Sequence, residues 1–250
     1  ALLVKRFFRS IQTHFPSLHD LRFSLKFFKM NLTKQPHEYD FNALKNFTPG
    51  DDQVFIDVGS NRGEAIYSML LKSKTETPII GFEPNELIYK KLSARFVNEP
   101  RVKLYNSGIG NLKEELTLFV PFYRKWMFDG LSSFNYTDAA EWLKTRLWNY
   151  TEKNLTVKEI QCEIDRLDGF NLNPYFIKID VQGFEIEVLK GAKTTIEKHL
   201  PIILIESICK ESTAFLEEFG YQFYSYVNGK MELGRGKLNT YCIVKGKLGV

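Results

Sequence analysis

A chain of 250 residues that is 44% apolar and 26% charged has the make-up of an ordinary globular protein, which excludes a disordered tail, a collagen-like repeat and a disulfide scaffold. Lys and Arg number 34 against 30 Asp and Glu, an excess too small to mark a nucleic-acid groove, so no nucleic-acid partner is expected. Cys162, Cys209 and Cys242 stand far apart with no CxxC spacing, which argues against a zinc framework and leaves a reducing, cytoplasmic setting as the expectation.

Residues 1–35 hold seven basic side chains and one acid, Asp20. Val4, Phe7, Phe8, Ile11, Phe15 and Leu18 recur at helical spacing, and Pro16 should interrupt that helix. This extension is too broken by charge for a signal-peptide core, and no run in the chain approaches the ~18 apolar residues of a membrane span. The plainer reading packs the extension on the neighbouring domain with its basic face in water. The alternative is a peripheral contact with an anionic membrane.

From residue 36 to 250 the pattern predicts one α/β domain. Strands are expected at 54–58, 79–82, 102–105, 176–179 and 202–205, alternating with helices after Gly63, through Leu87–Phe96 and through Phe184–Ile196. Near-continuous apolar strands between helices indicate a parallel sheet covered on both faces. Residues 221–227 and 240–244 should pair antiparallel as a terminal hairpin. The expected sheet is mostly parallel and seven-stranded. Residues 108–165 interrupt the rhythm. Leu116, Leu118 and Val120, and then Ile160, Cys162 and Ile164, alternate as strands around an aromatic insertion with Trp126, Phe128, Phe134, Trp142 and Trp148. So long an insertion in a compact domain is usually functional.

Three segments carry chemistry. Asp57-Val-Gly-Ser-Asn-Arg-Gly63 joins a strand to a helix, where a glycine turns the backbone tightly and free helical N–H groups face an anion. In a dinucleotide fingerprint the second glycine makes room for pyrophosphate. Here Asn61 takes that place and Glu64 the last one, which suits S-adenosylmethionine, with its small carboxylate, better than NAD. Glu83, in Gly81-Phe-Glu-Pro-Asn85, ends the second strand, where a carboxylate accepts ribose hydroxyls. Lys178-Ile-Asp180-Val-Gln-Gly183-Phe-Glu185 ends another strand, and Glu206 ends the next. Ligands of open α/β sheets lie beyond these carboxyl ends. His199 precedes its strand, on the far edge, and is not expected to act as a base.

These segments, with Asn106-Ser-Gly-Ile-Gly110, Leu131-Ser-Ser133 and Pro201-Ile-Ile-Leu-Ile-Glu206, resemble the FkbM family of methyltransferases in order over residues ~50–225. The resemblance implies a Rossmann-like class I methyltransferase fold, S-adenosylmethionine as cofactor, and O-methylation of a hydroxyl on a sugar, glycan or natural product. It places cofactor contacts at Asp57, Gly59, Ser60, Asn61, Gly63 and Glu83, with Asn106 and Ser107 beside the adenine. The family usually carries Asp-Val-Glu-Gly, and here Gln182 replaces that glutamate, so no metal is assigned. Asp180 is the candidate base, with Glu206 and Glu185 as alternates, and Ser132 and Ser133 are candidates to shape the acceptor pocket. Two other readings stand beside this one: an inactive Rossmann-like binding protein, and a nicotinamide-dependent oxidoreductase. The sequence leaves the acceptor and the oligomeric state open.

Overall fold

The computed structural model describes residues 2–15, 17–74 and 76–247. Pro16, the expected helix breaker, lies outside the described residues, as do the side chains of residues 2–5 and 17. Helices α1 (Leu2–Gln12) and α2 (Ser17–Thr33) come first, then a 3-10 segment at Tyr39–Asn46. The helical spacing and its interruption near residue 16 thus appear as two helices. Then come β1 (Val54–Val58), α3 (Glu64–Lys72), β2 (Ile79–Phe82), α4 (Glu86–Phe96) and β3 (Val102–Tyr105). The insertion holds β4 (Gly108–Ile109), β5 (Glu114–Tyr123), β6 (Trp126–Met127), α5 (Tyr136–Arg146) and β7 (Leu155–Asp165). The chain closes with β8 (Pro174–Ile179), α6 (Glu185–Gly191), α7 (Lys193–His199), β9 (Ile202–Glu206), α8 (Lys210–Glu217), β10 (Tyr221–Val227), β11 (Lys230–Leu233) and β12 (Asn239–Val244).

The main sheet runs β11-β10-β12-β9-β8-β1-β2-β3. From β9 to β3 every pairing is parallel; β12, β10 and β11 are added antiparallel. Alternate residues of each central strand face opposite layers. Phe55, Ile79, Phe176 and Leu204 pack with Phe41, Leu44 and Met69, and Ile56, Ile177, Ile179 and Ile205 pack with Val188, Leu189 and Leu216. Both faces are covered, which is why these strands read as apolar runs.

Among the described residues the sheet has eight strands where seven were expected. Asn228 and Gly229 both take positive φ, 50° and 84°, and form a two-residue turn whose twist matches a hairpin. The chain therefore folds back at once as β11 before β12 returns on the other side of β10. The helix expected through Phe184–Ile196 also divides. A Cβ on Gly191 would lie 1.8 Å from the carbonyl oxygen of Gly110, so the helix meets the insertion backbone there and restarts as α7.

A second sheet, β4-β7-β5-β6, carries the insertion. β5 and β7 pair antiparallel with Leu116 opposite Cys162 and Leu118 opposite Ile160, as the alternation implies. A bridge between Phe119 and Ser133 folds the following loop back against β5.

Candidate active site

The carboxyl ends of β1, β2, β8 and β9 meet at one edge, above which lies a cavity of ≈ 300 Å³. Gly59, Asn61, Glu83, Asp180 and Glu206 line one side, and the insertion supplies Gly130, Ser132, Ser133 and Phe134 on the other.

The turn after β1 is set by backbone geometry. Gly59 sits at φ +85°, and a Cβ there would lie 2.0 Å from the Asp180 carbonyl oxygen, so only glycine lets β1 and β8 approach so closely. Gly63, at φ +90°, opens α3, and a Cβ there would strike Phe96 at 2.4 Å. Between them Asn61 is left-handed at φ 45°. Its N–H donates to Glu83 Oε2 at 2.7 Å, while the Asn85 N–H donates to Oε1 at 2.9 Å. Asn85 in turn caps α4 through Leu87 N–H. Glu83 thus faces the cavity with one bond on each oxygen and lone pairs to spare. Burial pushes its carboxyl up to about 7 despite those two bonds.

Asp57 lies one layer behind the cavity. It is 1% exposed, and neither of its oxygens has a hydrogen-bond partner among the described residues. Burial raises it to about 7, opposed by the charge of Lys178. Ser60 turns its hydroxyl to the Asp57 carbonyl at 3.0 Å. Asn106 is exposed and donates to the carbonyls of Glu83 and Pro84. Ser107 is buried with an unpartnered hydroxyl. Asp57, Ser60, Gly63, Asn106 and Ser107 are therefore not on the cavity wall; Gly108 and Ile109, just after the last two, are.

Asp180 is half-buried, with Gln182, Lys178 and Glu206 as its polar neighbours. Gln182 Nε2 donates to its Oδ1 at 2.8 Å, and Lys178 Nζ lies 4.0 Å from Oδ2. Glu206 shares the cavity wall with it. Burial would raise Asp180, but Lys178, Glu206 and Gln182 together outweigh it and hold the carboxyl below its ordinary value. Glu206 moves the other way, raised by burial and then by the neighbouring Asp180. The two carboxyls titrate as a pair, with Asp180 the more acidic member and Glu206 the less acidic one. Gln182, the departure from the family pattern, gives Asp180 a donor where a glutamate would give a second negative charge. Glu185 is not in this group: its Oε1 accepts from Gly183 N–H at 3.0 Å, and it lines a smaller neighbouring cavity.

Sequence reasoning missed the groups that support this site. Lys178 is 2% exposed, and Nζ donates to Asn239 Oδ1 and the Ile179 carbonyl, each at 3.3 Å. Asn239 donates onward to Glu38 at 2.8 Å. Arg62, 3% exposed, bonds Asp129 at 2.7 Å, Asp20 at 2.8 Å and His19 at 2.8 Å. It ties the β1–α3 loop to both α2 and the insertion. A charged residue inside a glycine loop was the only hint. Glu64 pairs with Lys26 of α2 at 2.8 Å, and its charge still reaches the loop, where it adds to the rise of Asp57. Among the described residues no cluster of His, Cys, Asp and Glu has metal-ligand grouping.

A parallel β3-β2-β1-β8-β9 sheet extended by antiparallel β12 and β10, with its cavity over β1 and β8, is the architecture of the Rossmann-like methyltransferases. The sequence profile of the methyltransferase FkbM domain matches residues 57–223. The chain belongs to that family, whose members use S-adenosylmethionine. Methyltransferase 1 of Beauveria bassiana (strain ARSEF 2860) is 27% identical over 152 residues, covering 56% of this chain and 59% of that protein. The tRNA U34 carboxymethyltransferase of Helicobacter pylori (strain P12) is 32% identical over 96 residues, covering 35% and 36%. This chain therefore spans about half the length, or less, of the relatives it matches. Among solved structures, the methyltransferase FkbM of Methylobacillus flagellatus KT superposes with a TM-score of 0.47 at 18% identity, covering 86% of this chain and 52% of that one.

The residues present fit the cofactor. Gly59 leaves its loop bare, Glu83 keeps free lone pairs on the wall, and Asn61 holds a buried Oδ1 that no described group satisfies.

Proposed function

We propose that this chain is the catalytic domain of an O-methyltransferase that acts on a hydroxyl of a sugar, glycan or natural product. The observation behind this reading is that one cavity is lined by the Gly59–Asn61 turn, Glu83, Asp180 and Glu206 together. Gly59, Asn61 and Glu83 would hold S-adenosylmethionine, with Glu83 toward the ribose. When bound, that cofactor supplies an electrophilic methyl group on sulfur. Asp180 accepts the proton of the acceptor hydroxyl as that proton becomes acidic, with Glu206 beside it on the cavity wall. Lys178 holds Asp180 from behind, and Ser132, Ser133 and Phe134 position the acceptor, a gain of several kcal/mol through orientation.

The test is a thermal-shift titration with S-adenosylhomocysteine and NAD, followed by methyl transfer to sugar and glycan acceptors. Stabilisation by S-adenosylhomocysteine with transfer to a hydroxyl supports the reading. Binding without transfer to any hydroxyl would leave a binding protein, and stabilisation by NAD alone would overturn the assignment.

We further infer a peripheral contact with anionic membrane through α2. Phe27 and Met30 pack inward, with the Phe27 ring against Tyr67 and Arg95. On the opposite face Leu18, Leu21, Leu25, Phe28 and Leu32, three and four residues apart, are all exposed, Phe28 at 65% and Leu32 at 73%. Arg22 and Lys29 flank that stripe, while Asp20 is turned to Arg62 and Lys91. An apolar stripe with cations beside it fits an anionic bilayer. Co-sedimentation with anionic vesicles, reversed by high salt, supports the contact; no binding at low salt removes it. No described helix is long and apolar enough to cross a membrane.

A further inference from the structure

A second cavity, of ≈ 450 Å³, lies between the α1–α2 pair and the insertion. Phe23, Trp126, Phe128 and Trp142 give it aromatic walls, and Arg9 and Arg22 open into it. Asp129 and Gly130 line both this groove and the cofactor cavity, so the two share a wall.

The charge of the groove is unbalanced. The Arg9 and Arg146 guanidinium groups lie 5.0 and 5.1 Å from the ring centroid of Trp142. Among the described residues none of Arg9, Arg22 and Arg146 pairs with a carboxylate. The one acid on the groove wall, Asp129, is already bonded to Arg62 at 2.7 Å and lies 3.7 Å from His19. Burial and the repulsion of Arg146 and Arg22 lower Arg9 from its ordinary value. Like charges gathered on an aromatic surface cost free energy, and an oxyanion relieves it: guanidinium forks match phosphate and carboxylate geometry. The aromatic faces meanwhile suit the flat face of a sugar or other ring.

Gly130 keeps the shared wall low. A Cβ there would meet only Asn61 Nδ2, at 3.9 Å, and its backbone is not left-handed. The wall could therefore carry a side chain, and carries none.

We propose that the groove binds a phosphate group of the acceptor between Arg9 and Arg22, with the acceptor ring against Trp142 and its reacting hydroxyl reaching over Gly130 toward Asp180. This rests on the methyl-transfer reading above and adds a substrate class to it: an anionic, ring-bearing acceptor. A phosphate of this kind has two sources, a soluble sugar phosphate or a lipid headgroup beside the exposed face of α2.

Binding is measured without methyl transfer, by tryptophan fluorescence of the full chain at fixed ionic strength. Glucose 6-phosphate, glucose and dihexanoyl phosphatidic acid below its micelle concentration are the probes. Saturable binding is expected for one or both phosphates and not for glucose, and the tighter phosphate names the source. Arg9→Gln with Arg22→Gln should weaken it at least roughly tenfold. The single Arg22→Gln, at an exposed side chain, should weaken it by less and cannot be dismissed as misfolded. Gly130→Leu should leave phosphate binding in place and cut transfer to the acceptor. No saturable response to either phosphate, or one that the Arg variants leave unchanged, overturns the proposal. Because S-adenosylhomocysteine binding is read separately on each variant, failure of the groove and failure of the methyl-transfer reading give different results.

Discussion

At the carboxyl edge of the sheet, Asp57 and Glu83 lie buried and gain charge only at a cost, each raised to about 7. In the helical layer above, Asp20 is held down to about 2 by its bond to Lys91, against some burial, and then by Arg62, while α2 presents large apolar side chains outward. The first region stores acid groups away from water beside an opening; the second compensates its one acid and, among the described residues, leaves apolar surface exposed and Arg9 and Arg22 without a carboxylate. The proposed cofactor site and the proposed phosphate groove rest on these two opposite arrangements.

The contrast can be broken at its strongest point first. Asp180→Asn keeps shape and hydrogen bonding but cannot take a proton at neutral pH. Turnover should fall by about 10²–10⁴, with S-adenosylhomocysteine affinity nearly unchanged. Single-turnover methyl transfer and calorimetry read the two quantities, and an equal loss in both would move Asp180 into cofactor binding. Next, Arg62→Met removes the cation joining the two regions and leaves Asp129 and His19 buried without it. A loss of about 3–5 kcal/mol is expected in urea unfolding, with hydrogen exchange rising in α2 as well as in the β1–α3 loop. Exchange rising in α2 alone would show that the regions are independent.

A smaller effect is expected at Glu83. Glu83→Gln places an amide where both oxygens now accept backbone N–H groups, so one bond is lost on Asn61 or Asn85. Each charge-assisted bond is worth about 1.5–3 kcal/mol, and S-adenosylhomocysteine should bind roughly ten- to a hundredfold more weakly by calorimetry. Acidity should act on the two regions in opposite senses. Asp57 and Glu83 bind protons more tightly folded than unfolded, so they favour the unliganded fold when protonated. That advantage fades as pH rises from about 4 to about 7. Asp20 and Asp129, both lowered, contribute above about pH 4, and that contribution is lost as pH falls through their folded values. Melting scans from pH 3 to 8 should show a maximum between the two losses; a steady rise to pH 8 would contradict the buried charges. The smallest effect belongs to His199→Ala. Its ring sits at the end of α7, before β9 on the far edge of the sheet, and turnover should be unaltered.

How much was legible follows the same division. The parallel strands were readable because burial on both faces leaves runs such as Ile79–Phe82 and Ile202–Ile205, and the edge acids follow those runs directly. β11 was missed although Asn228-Gly229 is a strong hairpin signal. Its strand, Lys-Met-Glu-Leu, carries too little apolar alternation to stand out. Lys178, Arg62 and Asn239 were not assigned roles, because their partners lie far along the chain: Asn239 meets Glu38 across 201 residues and Arg62 meets Asp20 across 42. The exposed stripe on α2 escaped notice for another reason. That helix is apolar on two faces, and which one is covered is decided by α3 and α4, not by its own sequence.

The partners of Arg62 also bear on where this protein can be cut. The family match begins at Asp57 and ends at Phe223, yet His19 and Asp20 precede it. Phe41, Leu44 and Phe47 pack in one cluster with Phe55 and Tyr241, and Asn239 steadies Lys178 from beyond the other end. A fragment trimmed to the recognisable stretch would thus open its own interior at both margins and strand a guanidinium. Kinship marks out a shorter length of chain than cooperative folding does, and expression of the trimmed piece is expected to give insoluble or loosely packed material where the longer one gives a sharp melt.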